Sequence, residues 1–323
     1  MESLKYFTFF LSLSWLHIRR KRAPIWVNIN LTHKCNLSCH YCDLPKDKKD
    51  LPSHFWIEKL DQLKEAGTKV IGISGAEPLL HRDIKEIIDY AHEKKFIINL
   101  YSNGSFSSSK LPQLKKVDNL FISLDGLQAT HDANRGEKSF SKALNGIEIT
   151  KDHLPLTIIC TLTPNNIHDV DNLLNFCQSY KIKVVFQNYV YNLDAKKLSK
   201  NSLALITEVF EKLIEKKRAG YPIANSYESL KLIATNTIST SPCLGGKRFC
   251  DISADGIVYP CFEDDKREKY AVSLKDKSIQ EAFSMFLNTQ CSCNNSCGLD
   301  TNNILQYELK SIGNAIKTVL SRL

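Results

Sequence analysis

Three cysteines at short spacing carry the clearest chemical signal in this chain. Cys35, Cys39 and Cys42 follow a predicted strand, with three and then two residues between them. The spacing brings three thiols around one tight loop, and Cys thiolates are the usual ligands of iron–sulfur clusters. A [4Fe–4S] cluster has four irons, so three protein ligands leave one iron open for a small molecule. The alternative is a zinc site completed by His33 or His40, although structural zinc sites usually present two separated ligand pairs.

A regular alternation of strands and helices supplies the scaffold for this loop. Six apolar runs predict strands at Ile25–Leu31, Lys69–Ser74, Phe96–Ser102, Asn119–Leu124, Leu156–Leu162 and Ile182–Asn188. Amphipathic segments predict helices near Ser53–Ala66, Arg82–Lys95, Phe140–His153, Asn166–Tyr180 and Ser202–Arg218. Repeated strand–helix units favour a parallel sheet with right-handed crossovers. We therefore predict an α/β fold whose functional residues lie at the carboxyl ends of the strands.

Polar motifs follow several of these strands. They are Ser74-Gly75-Ala76-Glu77-Pro78, Tyr101-Ser102-Asn103-Gly104, Ser123-Leu124-Asp125-Gly126, His131-Asp132-Ala133-Asn134-Arg135-Gly136 and Gln187-Asn188. Together with the cysteine loop, they resemble the radical SAM superfamily over roughly residues 25–300. The resemblance implies an open (β/α)6 partial TIM barrel that holds a [4Fe–4S] cluster with S-adenosylmethionine (SAM) on its open iron.

The resemblance also implies a reaction. An electron from the cluster cleaves SAM to methionine and a 5′-deoxyadenosyl radical, which abstracts hydrogen from a substrate. An external donor of the flavodoxin or ferredoxin type would supply the electron. The motifs are specific for the cofactor and the reaction type, but they do not identify the substrate.

The same resemblance implies roles for individual residues. Gly75, Ala76 and Glu77 match a Gly-Gly-Glu-Pro motif whose backbone meets the methionine amino group of SAM, and Ala76 replaces its second glycine. Alanine would be strained there if the backbone were left-handed. Tyr41 corresponds to an aromatic residue that lies near the adenine. The polar residues expected near the ribose and methionine portions are Ser102, Asn103, Ser123 and Asp125.

Two further residues are expected at the SAM or substrate site. Arg135 could pair with the SAM carboxylate through its fork of donors, and Gln187 could bound the adenine or the substrate. The alternative for Arg135 is a solvated loop charge. For Ser and Asp in such turns, the alternative is local capping of the backbone.

A second group of cysteines lies near the end of the chain. Cys243 is followed by Gly256 and then Cys261, and Asp255-Gly256 between short apolar runs predicts a hairpin. The arrangement resembles a SPASM or twitch domain, which implies an auxiliary [4Fe–4S] cluster. Its expected ligands are Cys243, Cys261, Cys297 and either Cys291 or Cys293, with Cys250 as a spare. Zinc bound by the same four residues is the alternative.

The excess positive charge lies at the two ends of the chain. The net charge is +8, of which residues 1–22 carry +4 and residues 301–323 carry +2. A globally basic nucleic-acid-binding protein would instead distribute its charge over a folded face. The apolar run in residues 6–18 precedes Arg19–Arg22 and is too short to span a membrane. It suits a helix in the membrane interface, or alternatively a helix packed on the barrel.

These observations predict four segments. They are an N-terminal membrane-interface segment (1–22), a radical SAM core (23–225), a SPASM- or twitch-like domain (226–300) and a basic amphipathic C-terminal helix (301–323). Clustered thiols in a chain of this length favour the cytoplasm. We expect a lipid or other amphiphile as substrate, taken from the inner membrane face. A peptide or protein maturase is the alternative enzyme, and a zinc-stapled nucleic-acid-binding protein is the alternative from another class.

Overall fold

The computed structural model describes most of the chain. The described residues are 22–42, 44, 48–188, 200–237, 243–261 and 267–286, together with positions 5, 7–9, 11, 12, 14, 15, 300, 301 and 305. The strands are β1 (Trp26–Asn30), β2 (Val70–Ser74), β3 (Ile97–Ser102), β4 (Asn119–Ser123), β5 (Leu156–Leu162), β6 (Lys183–Asn188), β7 (Phe249–Ile252), β8 (Ile257–Tyr259) and β9 (Val272–Ser273). The helices are α1 (Ser53–Glu65), α2 (Ile84–Glu93), α3 (Leu111–Leu114), α4 (Gln128–Arg135), α5 (Ser139–Thr150), α6 (Val170–Tyr180), α7 (Lys200–Arg218), α8 (Tyr227–Ala234) and α9 (Ile279–Ser284).

All nine strands belong to one sheet. Its order is β6-β5-β4-β3-β2-β1-β7-β8-β9, and every pair from β6 to β7 is parallel. The first six strands therefore lie in sequence order, each joined to the next by a helical crossover, as expected for an open (β/α)6 barrel. Since the strands are parallel, the loops that follow them all leave from one edge. We call this edge the carboxyl edge, and the opposite one the amino edge.

Hydrophobic alternation explains how β1 lies between two environments. Val27 and Ile29 are buried in the main core, whereas Trp26, Asn28 and Asn30 point to the opposite face of the sheet. The main core lies between the sheet and its helices. Helix α1, for example, contributes Trp56, Leu60 and Leu63, each at most 1 % exposed.

The predicted elements are largely confirmed. Each of the six strands begins and ends within one residue of its predicted bounds, and the Asp255-Gly256 hairpin joins the antiparallel strands β7 and β8. Gly256 has φ +76°, a conformation that favours glycine. The sequence analysis missed α3, α4 and α8. It also gave no sign that β7 would pair with β1, which joins the cysteine-rich region directly to the barrel sheet.

A smaller core closes the amino edge. Phe9, Ile25, Val70, Ile97 and Phe249 are all buried in it. The last three are the first residues of their strands. The N-terminal segment (residues 5–15) is helical at every described position and contributes Phe9 to this core. It is therefore packed on the barrel, as one of the two alternatives predicted.

An ion pair holds the same segment in place. Lys5 Nζ lies 2.9 Å from Asp118 Oδ1, directly before β4. Asp118 Oδ2 also accepts a hydrogen bond from the Ile98 amide at 2.8 Å. Among the described residues, no helix is both long enough and apolar enough to cross a membrane.

Candidate functional site

The cysteine loop leaves β1 at the carboxyl edge and is fixed to helix α4. The His40 amide donates to the Asn134 carbonyl at 3.0 Å, and His40 Nδ1 lies 3.1 Å from the same oxygen. Within the loop, the Cys42 amide donates to the Cys39 carbonyl at 3.0 Å. The thiols of Cys35, Cys39 and Cys42 are half-buried. The loop is thus held at both ends, with its thiols at the mouth of the barrel.

Burial and nearby charges act on these thiols. Burial raises the pKa of Cys39, the Arg135 guanidinium opposes that rise, and Asp125, Cys42 and Cys35 add to it. The three cysteines therefore lie within electrostatic reach of one another and of Arg135. In the described part of the chain, no three His, Cys, Asp or Glu side chains converge on a single-ion site. His33, a candidate zinc ligand, has its Nε2 3.3 Å from Asp255 Oδ1.

The turn after β2 depends on one glycine. Gly75 has φ +129°, and a Cβ there would lie 2.9 Å from the Thr32 carbonyl oxygen. Ala76 has no positive φ, and its amide donates to the same carbonyl at 3.2 Å. The departure from the Gly-Gly-Glu-Pro motif therefore falls at a position that tolerates alanine. The strain considered for Ala76 is absent.

Substitutions at these two positions should behave differently. We expect Gly75→Ala to lower the free energy of unfolding by about 1–3 kcal/mol, because it adds backbone strain and a clash with the cysteine loop. Ala76→Gly should cost about 1 kcal/mol or less. Urea unfolding of both variants measures the difference. An equal loss of unfolding free energy in the two variants would contradict the expectation that only Gly75 requires glycine.

Glu77 is fully buried and links the turn after β2 to the turn after β3. Its Oε1 accepts hydrogen bonds from the Leu79 amide at 3.1 Å and from Ser102 Oγ at 2.9 Å. Its Oε2 accepts from the Asn103 amide at 2.7 Å. Burial raises the pKa of Glu77 to about 7, and the hydrogen bonds limit the rise. Two predicted SAM contacts, Glu77 and Ser102, are therefore bonded to each other.

This shift makes stability depend on pH. The pKa of Glu77 rises from 4.5 in the unfolded chain to about 7 in the folded one. Its contribution is therefore fully present below pH 4.5 and is lost as the pH rises through 7. The total change is about 3 kcal/mol. Glu77→Gln should remove most of this slope, as measured by urea unfolding between these pH values. An unchanged slope in the variant would show that another group titrates.

Asn103 connects the turn after β3 to the cysteine loop. Its Nδ2 donates to Asn36 Oδ1 at 2.8 Å and lies 4.0 Å from Cys35 Sγ. Asn36 Nδ2 in turn donates to Ser105 Oγ at 3.1 Å. Asn103 thus lies next to the first cysteine, and its contact with the cofactor stays a prediction. Asn36 belongs to the site but was not predicted, although it directly follows Cys35 in the sequence.

Asp125, Arg135 and Tyr41 form a second buried cluster. Arg135 donates through Nε to Asp125 Oδ2 at 2.7 Å and through Nη2 to Oδ1 at 3.0 Å. The Tyr41 hydroxyl donates to the same Oδ2 at 2.8 Å. The guanidinium lies 5.5 Å from the Tyr41 ring centroid. Arg135 is 8 % exposed, so it is a buried charge with an internal partner.

The pKa shifts follow from this pairing. Burial alone would raise the pKa of Asp125, but the Arg135 charge outweighs it and holds the pKa below its usual value. Asp125 in turn raises the pKa of Arg135 well above its usual value, despite burial. Burial lowers the pKa of His131 to about 4, and its neutral Nδ1 accepts from the Asp125 amide at 3.1 Å. The cluster is therefore an ion pair beside a neutral histidine.

The end of β5 adds residues that the sequence analysis missed. The Thr161 amide donates to Asp125 Oδ1 at 3.0 Å, and Asn166 Nδ2 donates to the Asp125 carbonyl at 2.7 Å. Thr163 Oγ1 donates to Asn134 Oδ1 at 3.1 Å. The polar run Thr161–Asn166 after the fifth predicted strand could have indicated them. Ser123 and Gln187 lie at the ends of β4 and β6 on the same edge.

The chemistry of the site fits the group that the resemblance implies. Three half-buried thiols share one loop, and as ligands of a [4Fe–4S] cluster they would leave its fourth position to a small molecule. Asn134, fully buried beside the loop, has an Nδ2 with no hydrogen-bond partner among the described residues. The carboxyl edge therefore offers thiolate ligands and a spare donor in one place.

The second cysteine region is described only in part. Cys243 and Cys261 lie together in the smaller core around Phe249, and the Gly245 amide donates to Cys243 Sγ at 3.4 Å. Cys250 lies opposite Val27 and is buried in the main core, on the other face of β7. It is therefore separate from the pair. Cys291, Cys293 and Cys297 lie outside the described residues, so the auxiliary ligand set stays a prediction.

Comparisons with known proteins agree with this geometry. Residues 29–177 match the model of the Radical SAM superfamily. Fe-coproporphyrin III synthase of Methanosarcina barkeri is 28 % identical over 222 residues, which cover 63 % of this chain and 54 % of that protein. The chain thus spans about half the length of this curated relative.

Two solved structures show the same fold. Streptococcus suis SuiB bound to S-adenosylmethionine superposes with a TM-score of 0.69 at 18 % identity, over 83 % of this chain and 68 % of SuiB. The structure of anSMEcpe with bound AdoMet and Cp18Cys peptide superposes with a TM-score of 0.62 at 21 % identity, over 80 % of this chain and 79 % of that one.

Proposed function

We propose that the chain, whose residues 29–177 match the Radical SAM superfamily model, is a radical SAM enzyme that holds a [4Fe–4S] cluster on Cys35, Cys39 and Cys42 and uses it to cleave SAM. When bound, the cluster supplies the electron that breaks a carbon–sulfur bond of SAM, which yields methionine and a radical that abstracts hydrogen from a substrate. The observation that carries the proposal is the cysteine loop itself. It lies at the carboxyl edge, next to two buried polar clusters that hold its position.

The residues around the loop orient the reactants. Asp125 fixes the Tyr41 hydroxyl and the Arg135 guanidinium in one arrangement, which places an aromatic ring directly beside the third cysteine. Arg135 also provides a positive charge that favours the Cys39 thiolate. Glu77 ties the turn after β2 to the turn after β3. Since these groups are already hydrogen-bonded, little reorganisation is needed on binding.

The proposed role of Arg135 changes with its partner. The sequence analysis expected its fork of donors on the SAM carboxylate, but Nε and Nη2 are bonded to Asp125. We therefore propose that Arg135 acts mainly by holding Tyr41 and Asp125. Ser102 was also expected near SAM, and its hydroxyl likewise has a protein partner, because it donates to Glu77 Oε1.

A soluble substrate is favoured over a lipid. The apolar N-terminal segment, which suggested a lipid, packs at the amino edge, whereas the thiols lie at the carboxyl edge. A lipid taken directly from a membrane at that segment would have to reach the opposite end of the barrel. The anSMEcpe structure, which contains a peptide together with AdoMet, supports a peptide as the first substrate class to test.

An auxiliary [4Fe–4S] cluster is proposed for the second cysteine region. Cys243 and Cys261 both pack in the smaller core, and Cys297 with Cys291 or Cys293 would complete the ligand set. This site adjoins the amino edge, so it lies at the other end of the barrel from the cysteine loop. We further propose a cytoplasmic enzyme that receives its electron from a flavodoxin- or ferredoxin-type donor.

The experiment that tests the proposal is anaerobic reconstitution with iron and sulfide, followed by reduction with dithionite in the presence of SAM. The expected result is the appearance of 5′-deoxyadenosine and methionine. A reconstituted, iron-loaded protein that leaves SAM intact under these conditions would overturn it. A colourless protein that binds zinc in place of iron would favour the zinc-stapled alternative.

A further inference from the structure

The N-terminal segment presents two different faces. Lys5 and Phe9, four residues apart, face the barrel, where Phe9 is 5 % exposed. Phe7, Leu11 and Trp15 recur at the same spacing on the other face and are 58 %, 54 % and 49 % exposed. Residues four apart share one side of a helix. The barrel-facing side therefore explains how the segment is attached, but it does not explain the three large apolar side chains outside.

Large exposed apolar residues are concentrated in this segment. Among the described residues seven large hydrophobic side chains are exposed, and Phe7, Leu11 and Trp15 are three of them. The other four are isolated at Leu44, Leu205, Tyr227 and Met285. Scattered exposed residues are ordinary on a protein surface, whereas a contiguous stripe marks a contact surface.

Several lysines lie at the amino edge, the same edge as this stripe. A groove of about 660 Å³ is lined by Leu11 and Trp15 together with Glu65, the last residue of α1, and Lys69. Burial lowers the pKa of Lys64, and the nearby charges of Lys69, Lys95, Lys94 and Lys5 lower it further. Lys64, Lys69 and Lys95 take part in none of the ion pairs of the described residues.

The position of these lysines follows from the fold. Crossover helices run antiparallel to the strands, so α1 and α2 end at the amino edge, where Lys64, Lys94 and Lys95 lie. Lysine is favoured at a helix C-terminus by the helix dipole. That preference explains each lysine separately, but not the exposed Phe, Leu and Trp beside them.

We propose that the amino edge of the barrel, through Phe7, Leu11 and Trp15 with Lys64, Lys69 and Lys95, docks on an anionic membrane surface. Tryptophan and phenylalanine suit the membrane interface, and each nearby lysine adds attraction to anionic lipids. A helix attached to the barrel by Phe9 and Lys5 can lie flat on such a surface.

This orientation has a consequence for the reaction edge. The cysteine loop and the buried clusters of Asp125 and Glu77 lie at the carboxyl edge, on the far side of the barrel from the docking surface. The membrane-bound protein would therefore keep its site open to the aqueous side, where a soluble substrate and an electron donor approach. The docking itself does not depend on the proposed reaction.

Vesicle binding by the full chain tests the docking. The protein should co-sediment with phosphatidylcholine vesicles that contain phosphatidylglycerol, bind much less to pure phosphatidylcholine, and dissociate as salt is added. Lys69→Glu with Lys95→Glu should weaken binding by about 30-fold or more. Phe7→Ser with Leu11→Ser and Trp15→Ser should weaken it at least as much. The matched control is Leu205→Ser with Met285→Ser, which removes exposed apolar side chains elsewhere and should bind as wild type.

These substitutions are preferable to deletion of residues 1–22. Deletion would remove Phe9 from the amino-edge core and Lys5 from Asp118, so a loss of binding could follow from unfolding. The serine substitutions change exposed side chains only, and thermal unfolding checks that the fold is retained. Binding that ignores lipid charge, or that survives both sets of substitutions, would overturn the proposal. The proposal would also be overturned if the protein did not bind vesicles and Phe7, Leu11 and Trp15 instead formed the contact of a dimer.

Quenching by brominated lipids tests the orientation. In the Trp15→Phe background, a tryptophan introduced by Glu65→Trp lies at the amino edge and should be quenched on vesicle binding. A tryptophan introduced by Asn165→Trp lies after β5 at the carboxyl edge and should not be. Equal quenching of the two variants would refute the orientation. SAM cleavage in solution should be unchanged in the serine and glutamate variants and in Glu65→Trp, which separates a failure of docking from a failure of the proposed reaction.

Discussion

Replacing Cys35, Cys39 and Cys42 together by alanine should abolish 5′-deoxyadenosine formation. The three thiols are the only cysteines on the loop at the carboxyl edge, and without them the group that supplies the radical has no ligands. We expect activity to fall by more than about 1,000-fold, because the protein contributes binding and orientation rather than the chemistry of the cofactor. Reconstituted iron should fall by about four atoms per chain, the content of one [4Fe–4S] cluster.

The iron that remains in this variant tests the second site. If Cys243 and Cys261 help to bind an auxiliary cluster, the triple variant keeps iron and sulfide, and adding Cys243→Ala and Cys261→Ala removes them. The matched control is Cys177→Ala, which truncates a buried thiol in α6, away from both groups. It should retain wild-type iron even if it is less stable. Full activity in the loop variant would contradict the proposed function.

The sequence predicted the positions of the elements better than their partners. The six strands were placed within one residue because apolar runs and local turns determine where a strand can form. The parallel order then brings the ends of the strands to one edge, where the resemblance to the radical SAM superfamily implies that Ser102, Asn103 and Asp125 lie near the cofactor. The apolar runs and the repeated strand–helix units were sufficient to predict this shared edge.

Long-range partners were not predictable in the same way. The sequence analysis expected Arg135 either on the SAM carboxylate or as a solvated loop charge, whereas the structure buries it against Asp125. Only the fold shows that Tyr41, 84 residues before Asp125 in the chain, meets the same carboxylate. The pairing of β7 with β1 joins residues still further apart. The pairing of distant residues depends on how whole helices and strands pack, and a local sequence pattern does not show that packing.

The ion pair of Asp125 and Arg135 provides the second large effect. Asp125→Asn should lower the free energy of unfolding by about 3–5 kcal/mol, because it leaves the buried Arg135 charge without its partner. The pair is 0 % and 9 % exposed at its two side chains, so solvent cannot replace the lost carboxylate. The same variant should weaken SAM binding, since Tyr41 and the neighbouring cysteine loop lose their anchor. Anaerobic urea unfolding and equilibrium SAM binding measure the two effects.

Two companion variants distinguish the charge from mere packing. Asp125→Asn combined with Arg135→Met removes both charges and should recover part of the lost stability, because no unpaired ion remains. Asp171→Asn removes a surface carboxylate that pairs with Lys216 at 2.9 Å, and should cost at most about 1 kcal/mol.

The pH dependence gives the same argument an independent check. The pKa of Asp125 lies below its ordinary value of 3.8. The contribution of the pair is therefore present above pH 3.8 and is lost as the pH falls through the folded pKa. In Asp125→Asn, the free energy of unfolding should no longer fall at acid pH through loss of this pair. The double variant of Asp125→Asn and Arg135→Met should show the same flat dependence, at a higher free energy of unfolding. A double variant no more stable than the single one would mean that burial of the arginine charge is not what the carboxylate offsets.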